Sequence, residues 1–152
     1  MGGLYFEEFE VGRVIKHSLR RTVTESDNML FSNMTLNPQP LHIDFDFAKN
    51  TEFGKPLVNS LFTLGLTIGI SVGETTLGTT VGNLGMSHIK FPHPVFHGDT
   101  IKVETLIKDK RESKSRPTQG IVTLLHRAYN QDDVLVAECE RAALMHKKPT
   151  PA

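Results

Sequence analysis

Pro56-Leu57-Val58-Asn59-Ser60-Leu61-Phe62-Thr63-Leu64-Gly65-Leu66-Thr67-Ile68-Gly69-Ile70-Ser71-Val72 is the stretch around which the rest of the chain is arranged. Leu57, Val58, Leu61, Phe62, Leu64, Leu66, Ile68 and Ile70 leave almost no polar face, so a helix buried nearly all round is predicted here. Two buried strands are the weaker alternative. Gly65 and Gly69, four apart, put two bare spots on one helix face at roughly 1 kcal/mol of helix stability each. They predict close approach by a neighbouring sheet or helix. Asn59, Ser60 and Thr63 interrupt the apolar run, which is too short for a comfortable membrane span.

Downstream, the pattern changes to strands. Thr100 to Lys108 alternates Ile101, Val103, Thr105 and Ile107 with Lys102, Glu104, Leu106 and Lys108, and Gly120 to Tyr129 and Val134 to Met145 are long enough for two more. Asn130-Gln131-Asp132-Asp133 predicts the turn of an antiparallel hairpin between these two. Thr79 to Phe91 reads as a further strand, bent or bulged at Gly82 and Gly85 and ended by Pro92 and Pro94. Upstream, Val11 to Val23 reads as a first strand. Thr24-Glu25-Ser26-Asp27 places a capping residue three positions before an acid, and Leu30, Phe31 and Met34 follow at helical spacing, so a helix from about Glu25 to Met34 is predicted. Thr35 to Pro40 is a fixed turn, and Asp44 to Lys49 another helical turn packing Phe45, Phe47 or Ala48. One buried helix with about four antiparallel strands predicts an α+β fold whose sheet wraps that helix. Residues 1–152 form one domain in this reading, with residues 147–152 as a loose polar tail.

The 152 residues carry 17 Lys plus Arg and 17 Asp plus Glu, so no global positive field exists to concentrate a polyphosphate backbone. The single cysteine, Cys139, cannot form an intrachain disulfide or a multi-cysteine zinc site, which suits a reducing cytoplasm. Met1 to Glu10 has neither a basic start nor an apolar run, so a cytoplasmic location is expected.

Three segments could carry chemistry. Asn37-Pro38-Gln39-Pro40-Leu41-His42 combines a turn stiffened by two prolines with amides and an imidazole that titrates near neutrality, suited to aiming a base at a water. Alternatively, Asn37 and Gln39 satisfy loop backbone groups while His42 caps a core. Asn59 and Ser60 head the predicted helix, where unpartnered N–H groups could stabilise an oxyanion or take part in plain capping. Lys110 to Arg116 holds four cations and one acid, which suits a phosphate or simply a solvated loop. His88, His93 and His97 are five and four apart, but Pro92 and Pro94 preclude helical pairing of metal ligands. No metal or organic cofactor is expected.

Taken in order, Thr22-Val23-Thr24-Glu25-Ser26-Asp27, Pro40-Leu41-His42-Ile43-Asp44, Phe53-Gly54-Lys55-Pro56-Leu57-Val58-Asn59-Ser60-Leu61 and Phe91-Pro92-His93-Pro94-Val95-Phe96-His97-Gly98-Asp99-Thr100 make the chain resemble the MaoC-like dehydratases and (R)-specific enoyl-CoA hydratases of the hotdog superfamily, from Phe6 to about Lys147. The resemblance implies a curved antiparallel sheet around one long helix, subunits paired as a homodimer or higher oligomer, and acyl-CoA thioesters as substrates. It implies that the catalytic histidine is His42 and that the oxyanion donor is the backbone N–H of Ser60. The family's catalytic Asp is Asn37 here, and its Asn is Gln39. An amide orients water but takes no proton, so three readings stay open. His42 is the sole base with Asn37 and Gln39 placing water, or Asp44 substitutes as acid, or the site binds a thioester without hydrating it. Arg111, Lys114 and Arg116 gain a partner in the phosphates of coenzyme A, with Gln39 and Asn59 as further substrate contacts. The expected activity is hydration of an enoyl-CoA, with branched or dicarboxylic chains such as mesaconyl-CoA kept open. A hotdog thioesterase and a noncatalytic acyl-CoA-binding subunit are the alternatives.

Overall fold

Capping at Thr24 sets the first helix. Thr24 Oγ1 accepts from Asp27 N–H (3.3 Å) while an Asp27 carboxylate oxygen accepts from Thr24 N–H (2.8 Å), and α1 runs Glu25–Met34 as the spacing predicts. Its facing is the reverse of expectation. Leu30 and Met34 are exposed, whereas Asn28 and Ser32 are fully buried. The computed structural model describes residues 2–151. Met1 and Ala152, the ends of the expected domain, lie outside the described residues.

The expected first strand, Val11 to Val23, is two short pieces, β1 (Val14–Lys16) and β2 (Arg21–Thr22), because His17 between them turns inward to bond Glu74 and Thr105. The segment expected as a turn ends in a helical turn, α2 (Pro40–Ile43), with Pro40 in the first turn, where its missing N–H is not needed. Asp44 caps α3 (Phe45–Ala48), which buries Ala48 and leaves Phe45 and Phe47 exposed. The central helix, α4 (Ser60–Thr75), starts later than Leu57. Leu57 instead bridges to Phe96, Val58 N–H donates to Val95 O (2.9 Å), and the Asn59 side chain accepts from Leu61 N–H (3.0 Å) as the cap.

Four long strands follow: β3 (Thr80–Lys90), β4 (Thr100–Glu112), β5 (Gln119–Tyr129) and β6 (Leu135–His146). They form one antiparallel sheet in the order β1-β4-β5-β6-β3, with β2 also on β4, and α4 packs against β4, β5 and β6. This is the α+β hotdog arrangement. Register shifts next to Gly82 and Gly85 bear out the bulges expected in β3. The Asn130 side chain accepts from Asp132 N–H and Val134 N–H, fixing the hairpin turn where it was expected. β4 runs on past Lys108, so Lys110 and Arg111 belong to the strand rather than to a loop. At the polar tail, Lys147 N–H donates to Thr118 O (2.9 Å) and Lys148 N–H to Glu7 (3.0 Å), which ties its first two residues to the fold.

α4 is not buried all round. Its buried side carries Thr63, Thr67, Ser71 and Thr75 beside Ile70, and the hydroxyls of Thr67, Ser71 and Thr75 donate to carbonyls of their own helix at 2.6–2.7 Å. A Cβ built on Gly65 or Gly69 would meet nothing within 4 Å, so the close approach expected at these glycines is not made within the chain. Small hydroxyl residues that satisfy themselves meet the sheet in their place. Leu61 stays exposed, as do Val81, Leu84, Met86 and Ile89 on β3, the unpaired end of the sheet, and Phe91 just after it.

Two apolar clusters fill the space under the sheet, one including Ile101, Val103, Ala128 and Val136, the other Phe9, Ile107, Leu124 and Met145. A buried polar row, absent from the sequence reading, separates them. Arg141 Nε–H donates to His126 Nε2 (3.2 Å), so His126 carries its proton on Nδ1 and donates to Thr105 Oγ1 (2.8 Å). Thr105 Oγ1 lies 2.7 Å from His17 Nε2, and His17 Nδ1 lies 2.6 Å from the Glu74 carboxylate at the end of α4. Burial, followed by the Arg141 and His17 charges, pushes His126 from its ordinary 6.5 to about 3. The unfolded chain therefore binds a proton that the folded chain refuses between these values, and stability falls as pH drops below 6.5. From pH 6.5 to pH 5 this one group should remove about 2 kcal/mol. Urea unfolding across that window should show a shallower pH slope in His126→Gln than in the parent. Equal slopes would contradict the assignment.

Candidate active site

Leu57, Val58 and Asn59, leading into α4, are held from three sides. Leu57 N–H donates to Leu41 O (3.1 Å), Val58 N–H to Val95 O, and Asn59 N–H to the side-chain oxygen of Asn28 (2.9 Å). His42, on α2, is buried, and its Nδ1 lies 2.7 Å from Leu57 O. A carbonyl only accepts, so Nδ1 carries a proton and, in the neutral ring, Nε2 holds the lone pair. That is the state a general base requires.

The amide of Asn28 completes the cluster. Its Nδ2 lies 3.2 Å from His42 O, 3.0 Å from Leu57 O and 3.0 Å from His97 Nε2. Ser32 is bonded to Asn59 Nδ2 (3.4 Å). Burial lowers the affinity of His97 for a proton, against the opposing charges of Glu25 and Asp27 on α1, and its ring packs against Phe45 with centroids 5.8 Å apart. An amide nitrogen cannot accept, so in its contact with Asn28 Nδ2 the His97 ring is the acceptor through Nε2, one of three acceptors around two N–H groups.

At the head of α4, Asn59 N–H is taken by Asn28 and Leu61 N–H by the Asn59 side chain, while Ser60 N–H has no hydrogen-bond partner among the described residues. It sits at the positive end of a 16-residue helix. Ser60 also lines a cavity of about 200 Å³ whose other walls include Phe53, Leu57, Val58, Thr63 and Val136. The lining is mainly apolar, with Ser60, Thr63 and His93 as its polar side chains, so an acyl chain fits it better than a sugar or a free phosphate. Lys55, between the lining residues Phe53 and Leu57, rests its ammonium 4.4 Å from the centre of the Phe96 ring.

The residues singled out from sequence thus divide. His42, Asn59 and Ser60 come together around Leu57. Asn37 stays on the neighbouring turn, its side-chain oxygen accepting from Gln39 N–H (3.1 Å) and its own N–H donating to Ser32 O (2.9 Å). It lines a separate depression with Ser32, Leu36 and Ile43, and Gln39 is exposed. Asp44 is spent capping α3 through Phe47 N–H (2.9 Å) and does not turn back toward His42. Arg111, Lys114 and Arg116 are exposed at the β4–β5 hairpin, the opposite end of β4 from His97 and Thr100, so within one chain they do not reach the His42 cluster. Among the described residues, no group of three or more His, Cys, Asp or Glu is placed to hold a metal ion, and no helix is long and apolar enough to cross a membrane.

Sequence reasoning missed Asn28 and Ser32, and named His97 only as a discounted metal ligand and Lys55 only within a longer motif. The only local signal was the pair of small polar residues four apart in α1, a stripe that an amphipathic reading assigns to solvent.

With this geometry in hand, the comparisons with known proteins are specific. The family described as MaoC like domain matches residues 7–130. The mesaconyl-CoA hydratase of Cereibacter sphaeroides is 28% identical over 150 residues, 99% of this chain and 43% of that protein. The beta-methylmalyl-CoA dehydratase of Chloroflexus aurantiacus is 28% identical over 146 residues, 96% of this chain and 41% of that protein. The chain therefore spans under half the length of these two relatives. A solved structure of a monoamine oxidase regulatory protein from Archaeoglobus fulgius is similar at a TM-score of 0.85 and 32% identity, covering 98% of both chains.

Proposed function

Because the chain belongs to the MaoC-like dehydratase family, we propose that it is a hydro-lyase adding water across the double bond of an enoyl-CoA thioester, or removing it from the 3-hydroxyacyl product. The observation that carries this reading is the pairing of His42, protonated on Nδ1 by its bond to Leu57 O, with the unpartnered Ser60 N–H three residues beyond that carbonyl. Ser60 N–H holds the thioester oxygen, which makes Cβ electrophilic. His42 Nε2 takes a proton from water as the water oxygen bonds to Cβ, and the imidazolium returns a proton to Cα, so one water adds overall. No metal or organic cofactor takes part in this scheme.

The names of the two relatives support a branched or dicarboxylic acyl chain, such as that of mesaconyl-CoA or methylmalyl-CoA. The coenzyme's phosphates fall to the exposed cations. Lys55 lies beside the cavity, whereas Arg111, Lys114 and Arg116 contribute only if a second subunit brings its hairpin to the site. The exposed apolar residues of β3 and the outer side of α4 support a homodimer that covers them. The test is incubation with crotonyl-, longer-chain and mesaconyl-CoA, followed by product mass and a free-thiol assay. A product heavier by one water with no thiol released is expected. Thiol release would make the protein a thioesterase, and intact substrate despite binding would make it a noncatalytic acyl-CoA-binding subunit.

Asn37 stands where the family has its acid. Its side-chain oxygen accepts from Gln39 N–H, a bond an aspartate can also accept, so Asn37→Asp keeps the turn and puts a carboxylate on the segment that leads into α2, the helix carrying His42. Roughly tenfold faster hydration of simple enoyl-CoAs is expected of this variant. A loss of rate would mean that the amide contacts the substrate.

A further inference from the structure

The hydrogen bonds of the site converge on a residue to which the hydration scheme gives no part. Asn28 is fully buried in α1, yet its side chain reaches α2, the Leu57–Asn59 segment and the His97 turn, residues 14 to 69 positions away. Its orientation follows from chemistry. Turning the amide over would set its NH₂ against Asn59 N–H, donor on donor, and leave two carbonyls and His97 Nε2 facing an acceptor. We propose that Asn28 is the positioning residue of this site, fixing both the proton location on His42 and the availability of Ser60 N–H. The proposal rests on the hydratase reading above.

Two consequences follow from the one amide. Leu57 O accepts from both Asn28 Nδ2 (3.0 Å) and His42 Nδ1 (2.7 Å), so the carbonyl that sets the His42 tautomer is itself held by Asn28. Asn28 Oδ1 occupies Asn59 N–H and the Asn59 side chain occupies Leu61 N–H, so Ser60 N–H, at the wall of the cavity, is the first donor of α4 left open to the thioester oxygen. Base and oxyanion donor are thereby referenced to a single buried group, which is what preorganisation of a proton transfer requires. Few other side chains could do both. Aspartate keeps the acceptor toward Asn59 but loses both donors, and an apolar isostere strands Asn59 N–H in a buried site.

Asn28→Asp and Asn28→Ser in the full chain test this by two readouts. On the thioester that the parent hydrates best, kcat should fall about 100-fold in Asn28→Asp with KM within about threefold, since the reacting groups are displaced rather than the acyl pocket. The nitrogen NMR signals of the His42 ring, a single Nδ1–H tautomer in the parent, should become a mixture of tautomers. If Asn28→Asp does not fold, Asn28→Ser, neutral and smaller, supplies both readouts. A variant with kcat within about threefold of the parent and an intact Nδ1–H tautomer overturns the role of Asn28. A parent that hydrates no thioester defeats the hydratase reading instead, and the ring spectrum still decides whether Asn28 sets the tautomer.

Discussion

His42→Gln is expected to lower the hydration rate about a thousandfold while leaving the protein folded, the loss that follows when a positioned general base is removed. The expectation comes from geometry. His42 is buried, its Nδ1 proton is committed to Leu57 O, and Asp44, the nearest carboxylate in sequence, is committed to capping α3. Asn37 takes no proton. With His42 as the one base and neither Asn37 nor Asp44 placed to substitute for it, the rate should fall nearly to what the oxyanion donor alone provides. Thermal unfolding checks the fold and enoyl absorbance the rate. A variant retaining a tenth or more of the parent rate would show that another group removes the proton.

Ser60→Pro should have an effect almost as large, for a different reason. Ser60 is the first residue of α4, the one helical position where proline is favoured, and Asn59 before it has φ −56° and ψ 124°, backbone that a following proline accepts. The substitution therefore removes a single N–H without breaking the helix. A loss of about 100-fold in kcat is expected, as for other oxyanion donors. Ser60→Ala, which keeps the N–H and trims only an exposed hydroxyl, should stay near the parent. If alanine and proline behave alike, the donor is elsewhere.

Much of the architecture was legible because it depends on neighbours in the chain. The reciprocal bonds of Thr24 and Asp27, the Asn130 turn, the bulges at Gly82 and Gly85 and the alternation through β4 are all local, and each element lies within a few residues of its expected place. What misled was facing. In both α1 and α4 the hydrophobic pattern identified a helix, yet the small polar residues turn inward: Asn28 and Ser32 in one, Thr63, Thr67, Ser71 and Thr75 in the other. Their interior partners explain it. α1 meets a cluster of hydrogen-bonding groups at Leu57 and Asn59, and α4 satisfies its hydroxyls on its own carbonyls. Asn28 and the row from Glu74 to Arg141 are built from contacts between residues far apart in the chain, which no periodicity encodes. His42 and Ser60 could be found because the family pattern marks them; Asn28 needed the fold.

The central claim is that His42, set by Leu57 O and aided by Ser60 N–H, drives hydration. The most direct measurement follows enoyl absorbance of crotonyl-CoA and mesaconyl-CoA with the parent and with folded His42→Gln side by side. The account predicts that the parent consumes at least one of them and that His42→Gln does so about a thousandfold more slowly. A His42→Gln protein that hydrates as fast as the parent would contradict it.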